Sequence, residues 1–122
     1  MLKIKKINWI SESAKEAEVL LTDGTFDILC YSQPFEYDIE NHDFETIYLF
    51  SVSNILIIDN ERKSLVKKLN NSYDYEFSGE VIERNNNRIR VGEFVLELDF
   101  PLPKDIKEGE YVSLYCERVD IY

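Results

Sequence analysis

The dipeptide Asp23-Gly24 lies between two apolar runs, 17–22 and 25–31, and this limits what the chain can fold into more than any other feature. A two-residue type I′ turn needs positive φ at both central positions, and its twist suits two antiparallel strands. In the second run Phe26, Ile28 and Cys30 fall on one face, with Asp27 and Tyr31 on the other, and Gln33-Pro34 ends it. A second hairpin follows from Arg88-Ile89-Arg90-Val91, Gly92-Glu93 and Phe94-Val95-Leu96-Glu97-Leu98. Glycine at the first central position there fits a type II′ turn. Phe94, Leu96, Leu98 and Phe100 share a face.

Other stretches extend this pattern. Residues 75–84 read as a strand in which Gly79 marks a bulge or a close approach of backbones. Asn85-Asn86-Asn87 turns it into the second hairpin and completes a three-stranded meander. In the closing run Val112, Leu114 and Cys116 face one way, and the apolar positions then shift to Val119 and Ile121. That change of phase implies a bulge at Glu117-Arg118. Residues 3–10 form a further strand whose lysines suit a sheet edge. Between the halves, Leu65, Val66 and Leu69 predict one short helix over 61–70, capped by Asp59 or Asn60 and stopped by Asn70-Asn71.

The expected fold class is therefore all-β, mainly antiparallel hairpins with one short helix, forming a small closed or partly open barrel, an OB-like fold or a β-sandwich. The run 79–122 resembles in outline the small Greek-key barrel of oligonucleotide- and oligosaccharide-binding domains. The likeness is one of topology, covers about a third of the chain, and carries no diagnostic motif.

A length of 122 residues suits a single domain, 1–122, with an acidic β half (1–60), the helix (61–70) and a second β half (72–122). The basic start of the chain is followed by Asn8 and Ser11-Glu12-Ser13, with no cleavage pattern, so no signal peptide is read. The most apolar stretch, 47–58, is too short to span a bilayer, which takes about 20 residues. Cys30 and Cys116 lie in apolar strand patterns and read as buried reduced thiols. These features give a cytoplasmic expectation with no membrane partner.

Charge is the most unusual property. The net charge is −10, and residues 16–61 hold 11 Asp or Glu and no Lys or Arg. From residue 62 onward, 10 cations face 12 acids. An acidic half repels phosphate backbones and attracts basic surfaces. Its densest part places Glu36, Asp38, Glu40, Asp43 and Glu45 around His42, the only histidine. Such carboxylates suit a hard cation in principle, but the spacing is not that of an EF-hand loop, and no metal ligand is assigned. These six residues are the candidate partner-binding set. Arg84, Arg88 and Arg90 form the candidate alternative patch, for nucleic acid or sugar.

No catalytic motif, cofactor loop or metal spacing stands out, so no catalytic residue and no cofactor is expected. The leading reading is a non-catalytic binding module, immunity- or adaptor-like in charge and size. It would meet a basic protein partner through the acidic half. The alternative is an OB-like barrel binding oligonucleotide or oligosaccharide, with nucleic acid disfavoured by the charge. A weaker alternative is a small hydrolase using paired carboxylates.

Overall fold

Alternating burial carries the sequence pattern directly into strands. In β2 (Glu16–Thr22) Ala17, Val19 and Leu21 are buried, and in β3 (Asp27–Ser32) Ile28, Cys30 and Ser32 are buried. A computed structural model describes residues 2–36, 46–60, 62–69 and 73–121. The remaining strands are β1 (Lys3–Ser11), β4 (Ile47–Phe50), β5 (Ser53–Ile57), β6 (Leu65–Lys68), β7 (Tyr75–Glu83), β8 (Arg88–Val91), β9 (Phe94–Leu98), β10 (Tyr111–Cys116) and β11 (Arg118–Asp120). They form one sheet in the order β1-β2-β3-β11-β4-β9-β8-β7-β10-β5, with β6 on β7. The hydrogen-bonded path is open, ending at β1 and β5. It is antiparallel throughout except for β3–β11 and β4–β9.

The helix expected over 61–70 is not formed. Among the described residues there is no helix, and β6 pairs with β7 from Leu65↔Ser78 to Lys68↔Tyr75. The apolar stripe was too short to distinguish the two states. An isolated short helix gains little, whereas the flank of β7 offers a ready ladder. There Lys67 lies opposite Glu76, and the Lys68 ammonium is 6.0 Å from the Tyr75 ring centre.

The first hairpin exists, but its turn is not the expected two-residue one. Thr22 pairs with Asp27, leaving residues 23–26 as a four-residue loop, and only Gly24 has positive φ (+93°). The Asp23 carboxylate decides this: its Oδ1 accepts from Thr25 N–H at 2.8 Å and Phe26 N–H at 2.7 Å. This local side-chain bonding pulls Phe26 out of the strand. Asp23 Oδ2 also accepts from Glu93 N–H at 2.9 Å, so the carboxylate fastens the two hairpin turns together. Burial pushes its pKa up, but the backbone donors of Phe26, Glu93 and Thr25 outweigh it and hold the carboxyl below its usual value.

The second hairpin is as read, with Val91 opposite Phe94 and Gly92 at φ +60°. Phe100 departs from the expected face: it lies past the end of β9 and is 56% exposed. Gly79 is a close approach. A Cβ there would lie 2.4 Å from the Arg90 carbonyl oxygen and 2.7 Å from Val91 Cγ2.

The change of phase at Glu117 is where the last strand switches neighbours. β10 pairs with β7 and β5, whereas β11 pairs with β4 and β3. Glu117 N–H donates to Phe50 O at 2.9 Å across the break. One continuous stretch of chain thus joins distant parts of the sheet, whose buried residues form one core containing Phe77, Phe94, Leu96 and Ile121. No helix among the described residues is long and apolar enough to cross a membrane.

Candidate functional site

Trp9 is the only tryptophan and stands on β1, the end strand of the sheet, where it is 42% exposed. It pairs with Ala17, which in turn pairs with Ser32, so the three form one row across β1, β2 and β3. The Ser32 hydroxyl is buried and has no hydrogen-bond partner among the described residues. After Ser11 the chain turns tightly, with Lys15 at φ +56° and its N–H donating to Glu12 O at 3.2 Å. Lys15 O then accepts from Phe35 N–H at 2.7 Å, which brings Phe35 beside Trp9. The rings lie 5.6 Å apart at 57°, a favoured tilted contact. Phe35 is 5% exposed and backs the partly exposed indole.

These residues line an open cleft of about 560 Å³, formed by Trp9, Glu12, Lys15, Phe35 and Glu36. Lys15 Nζ is 2.6 Å from Glu36 Oε1, and both side chains are largely exposed. A pair in that setting adds little to stability, so a competing cation displaces Lys15 at small cost. The cleft therefore combines an aromatic plate, two carboxylates and one exchangeable ammonium.

Of the expected acidic set, Glu36 lies in this cleft. Asp38, Glu40, His42, Asp43 and Glu45 lie outside the described residues. The arginine set is not brought together as a free patch. Arg84 Nη1 donates to the carbonyls of Pro103 at 2.9 Å and Ile106 at 2.7 Å, tying down the loop before β10. Arg88 bonds Glu97 at 3.0 Å and Glu83 at 3.1 Å, and its hydrogen bond to Glu97 leads the causes that raise its pKa. Arg90 is 3.6 Å from Glu80. Arg88 and Arg90 thus serve the sheet, and Arg84 the loop.

A second polar cluster, unread in the sequence, covers the opposite face of β2 and β3. Tyr31 O–H donates to Glu16, and Tyr73 O–H donates to Glu18 at 3.1 Å. The hydrogen bond to Glu16 leads the upward shift of the Tyr31 pKa, and burial leads that of Tyr73. Arg118 lies 4.6 Å from the Tyr31 ring and 5.0 Å from the Phe50 ring, while its guanidinium bonds both oxygens of Asp120 at 2.7 and 2.9 Å. This ties β3, β4 and β11 together by cation–π contacts and a forked ion pair. Two acids of the charged half are thus spent on tyrosines.

Nucleophilic chemistry has little support among the described groups. Burial raises the thiol pKa of Cys30 and pushes that of Cys116 up to about 12, so both are protonated at neutral pH. No group of three or more His, Cys, Asp or Glu able to hold a metal ion occurs among the described residues. No protein family, curated protein or solved structure matches the chain.

Nothing in the local pattern announced the Trp9 cleft. Its signal was a lone tryptophan on a lysine-rich edge strand, where a core residue would not be expected to stand.

Proposed function

We propose that the chain is a non-catalytic binding domain that takes a cationic segment of a protein partner in the Trp9 cleft. The observation that carries this reading is the partly exposed Trp9 ring, backed by Phe35 and flanked by Glu12 and Glu36. Tryptophan held from behind is the typical anchor of a binding hot spot. An arginine or lysine of the partner stacks on the indole and replaces Lys15 on Glu36. The acidic stretch 36–45 begins at the same cleft and adds long-range attraction. The pairing of Arg84, Arg88 and Arg90 with carbonyls and carboxylates weakens the nucleic-acid reading. The return of the sheet path to its own chain at Glu117 supports a partly open barrel as the shape of the scaffold.

The test is capture on immobilised protein. A partner retained at about 50 mM salt is released as ionic strength rises, because screening shortens the reach of exposed charge. Trp9→Ala lowers its affinity by about 30-fold, the loss of one anchor of about 2 kcal/mol. Glu36→Lys lowers it further by repulsion. Retention that is indifferent to both substitutions would place the partner elsewhere.

A further inference from the structure

A bulge re-aims the side chains that follow it, and β1 has one at Lys5. Ile4 lies opposite Leu21 and Lys6 opposite Leu20, so Lys5 is the extra residue. In an unbroken ladder Lys5 would stand opposite Leu20, and Lys6 opposite Val19, which is buried in the core. The bulge sends Lys6 to the outer face instead. Lys5 is taken up by Asp27, its ammonium 2.8 Å from Oδ2. Lys6 makes no side-chain hydrogen bond or ion pair among the described residues.

Two neighbouring rows cross the outer face there: Lys6, Leu20 and Leu29, then Asn8, Glu18 and Tyr31. Lys6, Asn8, Glu18, Leu20 and Leu29 line a cleft of about 310 Å³. Side chains alternate along a strand, so this cleft lies on the opposite face from Trp9 and Ala17 and is separate from the Trp9 cleft. Leu20 and Leu29 are half-buried and supply its apolar part. The Tyr73 hydroxyl holds one oxygen of Glu18 at 3.1 Å, and the other has no partner among the described residues. The Asn8 carboxamide has none either. Lys6 and Glu18 therefore bring opposite charges to one cleft without pairing with each other.

We infer that this cleft binds a free α-amino acid with an aliphatic side chain. A ligand carrying both charges matches an ammonium and a carboxylate that do not meet. Its carboxylate accepts from Lys6, its ammonium donates to the open oxygen of Glu18, and both are charge-assisted bonds. Asn8 offers a donor and an acceptor beside them. The aliphatic side chain covers Leu20 and Leu29 and removes their apolar surface from water. A simple anion would meet Glu18 and a net charge of −10, and a simple cation would meet Lys6. A neutral sugar would leave both charges unanswered and finds no aromatic ring among the lining residues.

Titration calorimetry of the full chain with L-leucine tests the inference. Saturable heat is expected at a Kd of about 1 mM, in keeping with a small ligand in an open cleft. Leucinamide lacks the carboxylate, N-acetyl-leucine the ammonium and glycine the side chain, and each binds at least about 10-fold more weakly. Lys6→Met and Glu18→Gln each lower leucine affinity by about 10-fold. Both keep the shape of the side chain, glutamine still accepts from Tyr73, and circular dichroism checks that they fold. The ligand series needs no variant, so it decides the matter even where one fails to fold. Amide NMR shifts on adding leucine centre on Lys6, Asn8, Glu18 and Leu29. Heat that does not saturate by about 20 mM leucine, or leucinamide or N-acetyl-leucine binding as tightly as leucine, would overturn the inference. So would unchanged affinity in either folded variant, or shifts confined to the Trp9 cleft.

Discussion

Gly79→Ala lowers stability by about 3 kcal/mol, near the upper end of the usual cost of overpacking. Any Cβ at this position falls 2.4 Å from the Arg90 carbonyl oxygen and 2.7 Å from Val91 Cγ2. The oxygen belongs to β8 backbone, whose register is held by the β7 ladder on one side and the β9 ladder on the other. It cannot withdraw as a flexible side chain would. Urea denaturation reads the effect as a lower midpoint at unchanged slope. A loss below about 0.5 kcal/mol, the range of a neutral surface change, would mean that β7 and β8 separate more easily than their pairing implies.

Asp23→Ala costs about 2 kcal/mol at neutral pH, from backbone donors that lose an ionised acceptor. Thr25, Phe26 and Glu93 all donate to this carboxylate, and the Glu93 contact joins turns 70 positions apart. The site is partly open to water, which keeps the loss toward the lower end for several charged hydrogen bonds. The pH dependence has a definite sign. Because the folded pKa lies below the carboxyl's ordinary value, the contribution is complete above that ordinary value and fades as pH falls through the folded pKa. The stability gap between the parent and Asp23→Ala is therefore constant near neutrality and narrows below about pH 4. A gap independent of pH down to pH 2 would show that the carboxylate's charge does not hold the turns.

These two residues also mark where sequence reading succeeds and where it stops. Gly79 was legible as a bulge or a close approach, because a glycine inside a strand pattern has few other uses, and the structure shows the second. The Gly92-Glu93 turn and the shift of phase at Glu117 were legible for the same reason, as each is written in adjacent residues. Asp23 was read only as half of a tight turn. Its bond to Glu93 depends on a partner that no local window contains, and that bond accompanies a longer loop. β6 failed differently: Leu65, Val66 and Leu69 fit a helical stripe as well as a strand, and only the open flank of β7 decided between them.

The candidate site shows the same division. The charge asymmetry was plain, and Glu36 lies in the Trp9 cleft. What charge counting could not supply was the use made of each acid. Glu16 and Glu18 are engaged by tyrosine hydroxyls, Asp27 is paired with Lys5 at 2.8 Å, and Asp23 is held by backbone. Nor could it show that Lys15 O draws Phe35 against Trp9. The arginines looked like a patch because they are close in sequence, yet Arg88 and Arg90 pair with acids on the sheet and Arg84 bonds carbonyls of the loop before β10.

Because Trp9 is the only tryptophan, its emission reports on the cleft without interference. The most direct test of the binding proposal is to titrate the protein with a short arginine- and lysine-rich peptide and follow that emission. The proposal predicts a saturable change that weakens with added salt and is lost in Glu12→Lys/Glu36→Lys, whose fold is unchanged. Emission that stays constant while the peptide binds, or that responds to neutral oligosaccharide and not to the basic peptide, would contradict it.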